Sequence, residues 1–278
     1  MLKFIADVGG NHNKSKERVV YLIQAAKWAG FDAVKFQLYE ADKLYAPEFP
    51  EMREAARRVE LPLDFIPFIA EWCKKTEIEF HCTPFDIGAV FALRAYVDEY
   101  KIASYSVAHL DLIEACLSQG LPVSISLGCA TLDDINRIHA NFVSGETIPP
   151  ITYHCVPEYP ADIKKLGMPY FKTNRFMRGY SDHTREPAAI YAAVANGADC
   201  IEMHLDLDNM KGAESVHGHC WPVTMAAETI HTARKMAQVL ANTTDKTECE
   251  KMRKWRNDPE DGMRPMKQYR EELRKKGE

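Results

Sequence analysis

Residues 176–204, FMRGYSDHTREPAAIYAAVANGADCIEMH, hold one strand–helix–strand unit, and units of this kind recur along the whole chain. Phe176–Tyr180 is a short apolar run that leads into Ser181-Asp182-His183. Glu186–Ala195 has helical periodicity, and Asp199–Met203 is a second apolar run, carrying Glu202 and ending at His204. Comparable runs precede it. They are Leu2–Val8 with Asp7 and leading to Asn11, Asp32–Gln37 with Lys35, and Ile78–Cys82 followed by Thr83. Tyr100–Ala103 with Lys101 and Ser104, Pro122–Ser126, and Ile151–Cys155 with His154 complete the series. Eight strand-like runs alternating with helices predict an α/β fold, a single-domain (β/α)8 TIM barrel. Nearly every run carries or ends in a polar residue, where that fold places its active site. The chain therefore reads as an enzyme.

Composition agrees. The 278 residues are near the ~250 typical of such a barrel. At 46% hydrophobic and 27% charged the chain has the make-up of one domain with a real core. A net charge of -5 argues against nucleic-acid binding as the main function. Met1–Asp7 reads as the first barrel strand rather than a leader, and no run approaches the ~20 apolar residues of a membrane span. A cytoplasmic enzyme with no membrane partner is the expectation. Cys73, Cys82, Cys116, Cys129, Cys155, Cys200, Cys220 and Cys249 form no CxxC pair and read as reduced thiols, with Cys155 placed within reach of a metal.

Helices are expected over Lys14–Trp28 (stopped by Gly30), Pro62–Lys75, Ile87–Tyr96, Leu110–Ser118, Thr131–Ala140 and Thr224–Leu240. Thr131 has the form of an N-cap, followed by acids in the first turn; Ala161–Thr173 is a poorer helix candidate. From Asn242 the chain turns polar. The expected organisation is therefore a barrel over 1–241 and a polar extension over 242–278, in which Lys267–Lys276 is a charged helix or tail.

Specific motifs sit on this frame. Ala6-Asp7-Val8-Gly9-Gly10-Asn11-His12-Asn13 opens the chain, followed by Val34-Lys35-Phe36-Gln37, Thr83-Pro84-Phe85-Asp86 and Lys101-Ile102-Ala103-Ser104. Ser126-Leu127-Gly128 with Ala130-Thr131, Glu158-Tyr159-Pro160, Gly179-Tyr180-Ser181-Asp182-His183-Thr184 and Glu202-x-His204 come next. Each is short, but together, in this order over Ala6–Gly212, they resemble the sialic acid (N-acetylneuraminate) synthase family across about three quarters of the chain.

That resemblance implies metal-dependent condensation of phosphoenolpyruvate with an N-acetylated amino sugar or related aldose, giving a 2-keto-3-deoxy sugar acid and phosphate. It implies phosphoenolpyruvate binding by Lys35, Thr83, Lys101, Ser104, Ser126 and Ser181. Asp7, Lys35, Lys101, Tyr159, Glu202 and Glu214 fall at the catalytic positions. A divalent metal, Mn2+ or Mg2+, is implied at His183 and His204, and so is a homodimer. The residue types suit the task. A carboxylate and a phosphate need cations and hydroxyl donors, and two lysines on different strands supply charge-assisted hydrogen bonds. His183 and His204, after neighbouring strands, can converge on one ion and leave positions open for water and substrate. Taken singly, each lysine fits snorkelling and each serine fits satisfying a loop backbone equally well.

The departures from the family cluster on the acceptor side. Asp7 replaces a glutamate, Ser106 stands at a glutamate position, Val156-Pro157 replaces a polar pair, Met203 replaces a basic residue and Glu214 an aspartate. The stretch Lys43–Glu60 is shorter than the family's loop. The chain also ends where members continue into an antifreeze-like domain, so its contacts are expected from Arg57, Arg58, Trp255, Arg256 or Arg264. His217-Gly218-His219-Cys220-Trp221 is an unusual insert whose role, metal-binding, substrate-contacting or structural, stays open. Two alternatives remain beside the synthase. One is an aldolase or lyase on pyruvate-like compounds, with Lys35 or Lys101 as a Schiff-base lysine. The other is a non-catalytic sugar-phosphate binding protein.

Overall fold

The computed structural model describes residues 2–143, 149–173, 177–241 and 252–277. Eight parallel strands run in sequence order and close on themselves, the first pairing with both the second and the eighth. They are β1 (Lys3–Asp7), β2 (Ala33–Leu38), β3 (Glu79–Pro84), β4 (Glu99–Ile102), β5 (Val123–Ser126), β6 (Ile151–His154), β7 (Met177–Asp182) and β8 (Cys200–Asp206). A short β9 (Trp221–Pro222) extends the sheet beyond β8. This is the TIM barrel expected from the sequence. β3, β7 and β8 run further than the apolar runs do, so Thr83, Ser181, Asp182 and His204 lie inside strands rather than after them. Phe176, the expected start of the seventh strand, lies outside the described residues.

Alternation along each strand divides the residues between two environments. Phe4, Ala6, Val34, Phe36, Phe80, Tyr100, Ile102, Ile125, Tyr180, Ile201 and Met203 join one large core shared with the helices. The other parity faces the barrel axis. Ile5, Ala33, Tyr153 and Cys200 form a small apolar layer there, and the polar site residues follow them along the same strands. Met203 thus points away from the axis, between Glu202 and His204 on the opposite parity. The expectation that its substitution alters the acceptor side is overturned by this orientation.

The helices follow their end signals. α1 (Lys16–Ala29) starts two residues later than expected because Lys14 adopts a left-handed φ of 53°, and Ser15 caps it by accepting from Arg18 N. It stops at Gly30 with φ 93°. α2 (Ala41–Leu44) and α3 (Pro50–Val59) fill the stretch that shows no helical signal in the sequence. α4 (Phe65–Thr76), α5 (Ile87–Leu93) and α6 (Leu110–Leu117) fall inside their expected ranges to within a residue. α7 (Leu132–Ile138) has Thr131 and Asp134 in a capping box, and α8 (Pro187–Ala195) and α9 (Val223–Ala241) complete the ring. Ala161–Thr173 forms no α-helix. It holds only 3-10 turns at Ile163–Lys165 and Phe171–Thr173, since Gly167 turns left-handed and Pro169 disfavours a helical residue before it.

The chain divides into compact units Met1–Ala237 and Gln238–Glu278. In the second, α10 (Lys267–Lys276) is held through Arg270, which pairs with Asp261, and through Lys267 N, which donates to Asp258 at 2.7 Å. Residues 242–251 of the expected extension, Cys249 among them, lie outside the described residues. The remaining seven cysteines are free thiols. Among the described residues no helix is long and apolar enough to cross a membrane.

His12 links the β1 loop to this core. It is 1% exposed, between Phe36 and Phe65, and its Nδ1 accepts from Lys14 N at 3.0 Å. Burial pushes its pKa down to about 4. Protonation would turn that acceptor into a donor facing a donor. The folded value lies below the unfolded value of about 6.5, so the stability it contributes is present above that pH and is lost as pH falls toward 4, up to about 3 kcal/mol. Chemical denaturation across this window should show the fall, and His12→Gln should flatten the slope whatever it does to the level. An unchanged slope would assign the acid sensitivity elsewhere.

Candidate active site

Register at the carboxyl ends of the strands fixes the first half of the site. Asp7 on β1 stands opposite Lys35 on β2 and His204 on β8, while Ser181 on β7 stands opposite Glu202 on β8. The Lys35 Nζ donates to Asp7 Oδ2 at 2.6 Å, lies 3.4 Å from Thr83 Oγ1 and sits 3.7 Å from Glu202 Oε2. Lys101 Nζ donates to Ser126 Oγ at 2.6 Å and to Glu202 Oε1 at 3.2 Å, and Ser181 Oγ donates to the same carboxylate oxygen at 2.9 Å. All of these residues are buried.

Four buried charges of alternating sign therefore stabilise one another. Burial alone would protonate Glu202, but the ammonium groups of Lys101 and Lys35 outweigh it and hold the carboxyl well below its usual range. Burial would likewise discharge Lys35, and Asp7 and Glu202 reverse that, raising its pKa above the ordinary lysine value. Ser104, expected among these hydroxyls, is buried but turned to Cys155, with Oγ 2.9 Å from Sγ.

Imidazoles form the second half. His204 Nε2 lies 3.6 Å from Asp7 Oδ2, which joins the two halves, and its Nδ1 lies 3.0 Å from Glu214 Oε2. Burial lowers the His204 pKa and the two carboxylates more than restore it, so it ends above the free value. Glu214 comes from the loop after β8, and two backbone contacts aim it: Gly10 N donates to Oε1 at 2.6 Å, and Glu214 N donates to Asn11 Oδ1 at 2.8 Å. Gly9 is required beneath it. Its φ is +49°, and a Cβ there would lie 2.1 Å from Glu214 Oε1. Asp206 ties the loop down by accepting from Arg18, Gly212 N and Ser215 Oγ.

His219 reaches the same carboxylate, its Nε2 3.8 Å from Glu214 Oε2 and its ring centroid 4.6 Å from that of His204. Its Nδ1 is buried without a hydrogen-bond partner, a cost of about 1–3 kcal/mol unless some group engages it. His183 donates from Nδ1 to Val156 O at 2.6 Å, which leaves Nε2 as its free nitrogen, and its ring lies edge-to-face with His204 at 5.3 Å. Burial pushes its pKa down to about 3, so it is neutral. Tyr159 packs against all three rings, at 4.2 Å from His183, 4.9 Å from His219 and 5.7 Å from His204.

The sequence-derived residues thus come together with few exceptions. Asp7, Lys35, Thr83, Lys101, Ser126, Ser181, Glu202, His204 and Glu214 form one connected network, with His183 and Tyr159 packed on its edge. Among the described residues, one set of three side chains can hold a metal: His204, Glu214 and His219, whose donor atoms all lie within 4.8 Å of one another. Neutral imidazole nitrogens and an ionised carboxylate are the donors a divalent ion takes, so the residues fit such a group. Cys155 is not part of this set. Asn11 stands out in the sequence only as the residue the first strand leads to, and Asp206 carries no signal there; the role of both depends on how the β8 loop folds back on the β1 loop.

The sequence model described as the NeuB family matches residues 22–245. The spore coat polysaccharide biosynthesis protein SpsE of Bacillus subtilis is 30% identical over 228 residues, 76% of this chain and 61% of that protein. The N,N'-diacetyllegionaminic acid synthase of Legionella pneumophila is 30% identical over 232 residues, 73% of this chain and 64% of that one. The chain spans a little over three fifths of the length of these curated relatives. Among solved structures, the N-acetylneuraminic acid (sialic acid) synthetase of Leptospira borgpetersenii, in complex with citrate, superposes with a TM-score of 0.82 at 26% identity, covering 90% of this chain and 91% of that one.

Proposed function

The chain belongs to the NeuB family, and from that premise we propose that it condenses phosphoenolpyruvate with an aldose, releasing phosphate and a 2-keto-3-deoxy sugar acid. The observation that carries the proposal is the convergence of Lys35 and Lys101 on Glu202 at the catalytic end of the barrel, with the hydroxyls of Thr83, Ser126 and Ser181 beside them. Such a cluster suits a ligand carrying both a carboxylate and a phosphate. The names of the relatives favour a nine-carbon sugar acid as the product class.

In this reading the two lysines and the hydroxyls bind phosphoenolpyruvate and orient C3 toward the sugar's aldehyde carbon. Carbon–carbon bond formation there leaves C2 electron-poor; water adds at C2, and the resulting intermediate loses phosphate. Glu202, kept ionised, fixes the spacing of the lysines, and Asp7 links Lys35 to the imidazoles. Tyr159, half over the rings, shields that face from water. His204, with the neighbouring imidazole of His183 or His219, would hold a divalent ion, which would supply Lewis acidity toward the aldehyde. A Schiff-base lyase fits less well, since an attacking amine must be neutral and Asp7 and Glu202 hold Lys35 charged.

Phosphate release from phosphoenolpyruvate, measured with divalent metal against a panel of aldoses and their phosphates, tests the reaction. N-acetylmannosamine should be a poor acceptor. Ser106 and the side chains of Val156-Pro157 withdraw polar groups from the acceptor side, and lost hydrogen-bonding partners change specificity more than pocket size does. If N-acetylmannosamine gives the highest kcat/KM by a wide margin, the substitutions do not set the acceptor. No release with any aldose removes the condensation itself.

A further inference from the structure

His219 and Glu214 stand where they can do more than line a pocket. We infer that they join His204 as ligands of one divalent ion of the zinc class, a two-imidazole, one-carboxylate site in which His219 is a ligand in its own right. The inference rests on the metal-dependent reading above and deepens it by naming the ligands and the kind of ion.

Spacing supports it first. Bonds of about 2.0–2.2 Å in a tetrahedral site keep neighbouring donor atoms roughly 3.3 Å apart. His204 Nδ1 lies 3.0 Å and His219 Nε2 lies 3.8 Å from Glu214 Oε2, on either side of that value. Preorganisation supports it next. Gly218, with φ +81°, reverses the chain between exposed His217 and His219, which is 2% exposed. Immediately afterwards Trp221 anchors the segment, pairing with Leu205 on β8 and donating from Nε1 to Asp182 at 2.9 Å. A histidine held inward on so short a tether, with Nε2 turned to the Glu214 carboxylate, is poorly explained by packing alone.

The surroundings have the expected form. The other nitrogen of His204 faces the Asp7 carboxylate, the kind of outer contact that orients metal-bound imidazoles. Two imidazoles and a single carboxylate select borderline ions such as Zn2+ and Co2+ over Mg2+, which takes mainly oxygen donors. A fourth position stays open for water or substrate.

The test compares metal-free wild type with His219→Ala by calorimetric titration of Zn2+ and Mg2+, with metal content checked by elemental analysis. His217→Ala, an exposed neighbour, is the control. His219→Ala should lose at least a hundredfold in Zn2+ affinity but less than tenfold in Mg2+ affinity, and the visible spectrum of the Co2+-loaded protein should change with it. Should that variant not fold, His219→Gln carries the same comparison, since glutamine offers no imidazole nitrogen. Wild-type Zn2+ affinity in the folded variant, or a Co2+ spectrum the substitution leaves unaltered, overturns the inference. A wild type that binds Zn2+ through His219 yet releases no phosphate from phosphoenolpyruvate removes the condensation and leaves the metal site standing.

Discussion

Chelation should silence the condensation proposed for this chain. Lewis-acid polarisation contributes several kcal/mol to a barrier, so turnover in metal-free protein should fall on the order of a thousandfold and return when a divalent ion is restored. His204→Ala should do the same without recovery. His204 is buried inside β8, in contact with both Asp7 and Glu214, so the variant deprives both carboxylates of an imidazole partner and also costs stability. Thermal melting of the metal-free forms separates that loss from the loss of activity. Undiminished turnover in protein verified to be metal-free would take the ion out of the chemistry.

Lys101→Ala and Lys35→Ala should weaken phosphoenolpyruvate binding about ten- to a hundredfold each, since hydrogen bonds to charged groups contribute roughly 1.5–3 kcal/mol. The two will differ in side effects. Without Lys101, Glu202 keeps Lys35 and Ser181 as partners. Without Lys35, Asp7 keeps only Gly9 N and the more distant Gln37 and His204, so this variant should also melt earlier. Calorimetric titration of phosphoenolpyruvate reads the binding. Wild-type affinity in both variants would place the anion elsewhere.

Much of this site is legible in the sequence because strands are short and their ends are marked. Lys35 and Glu202 each lie two residues along from a small neighbour of the same parity, Ala33 and Cys200, whereas Lys101 follows Glu99. Parity also exposes Met203, which cannot share a face with Glu202 and His204. Loops were harder to read. α2 and α3 lie in a stretch too polar to show an apolar stripe, with Ala41 and Ala56 their buried residues. The missing helix between β6 and β7 required weighing Gly167 and Pro169 against a weak periodicity. His219 was visible only as one histidine of an odd insert. What brings it to Glu214 is a fold-back through Asn11 and Asp206, and pairings so distant in sequence leave no local trace.

The buried mouth holds two ammonium groups, Lys35 and Lys101, against two carboxylates, Asp7 and Glu202, and so is formally neutral. A multiply charged anion entering it gains no net Coulombic attraction from these four groups alone. In the proposed reaction a dication at the neighbouring imidazoles would tip the sum positive and so link the two ligands thermodynamically. By reciprocity, whatever factor the ion adds to the anion's affinity, the anion returns to the ion. The pocket would then favour joint occupancy, each ligand held more firmly once the other has arrived, and a barrel without its ion would have a weaker hold on the phosphorylated metabolites around it.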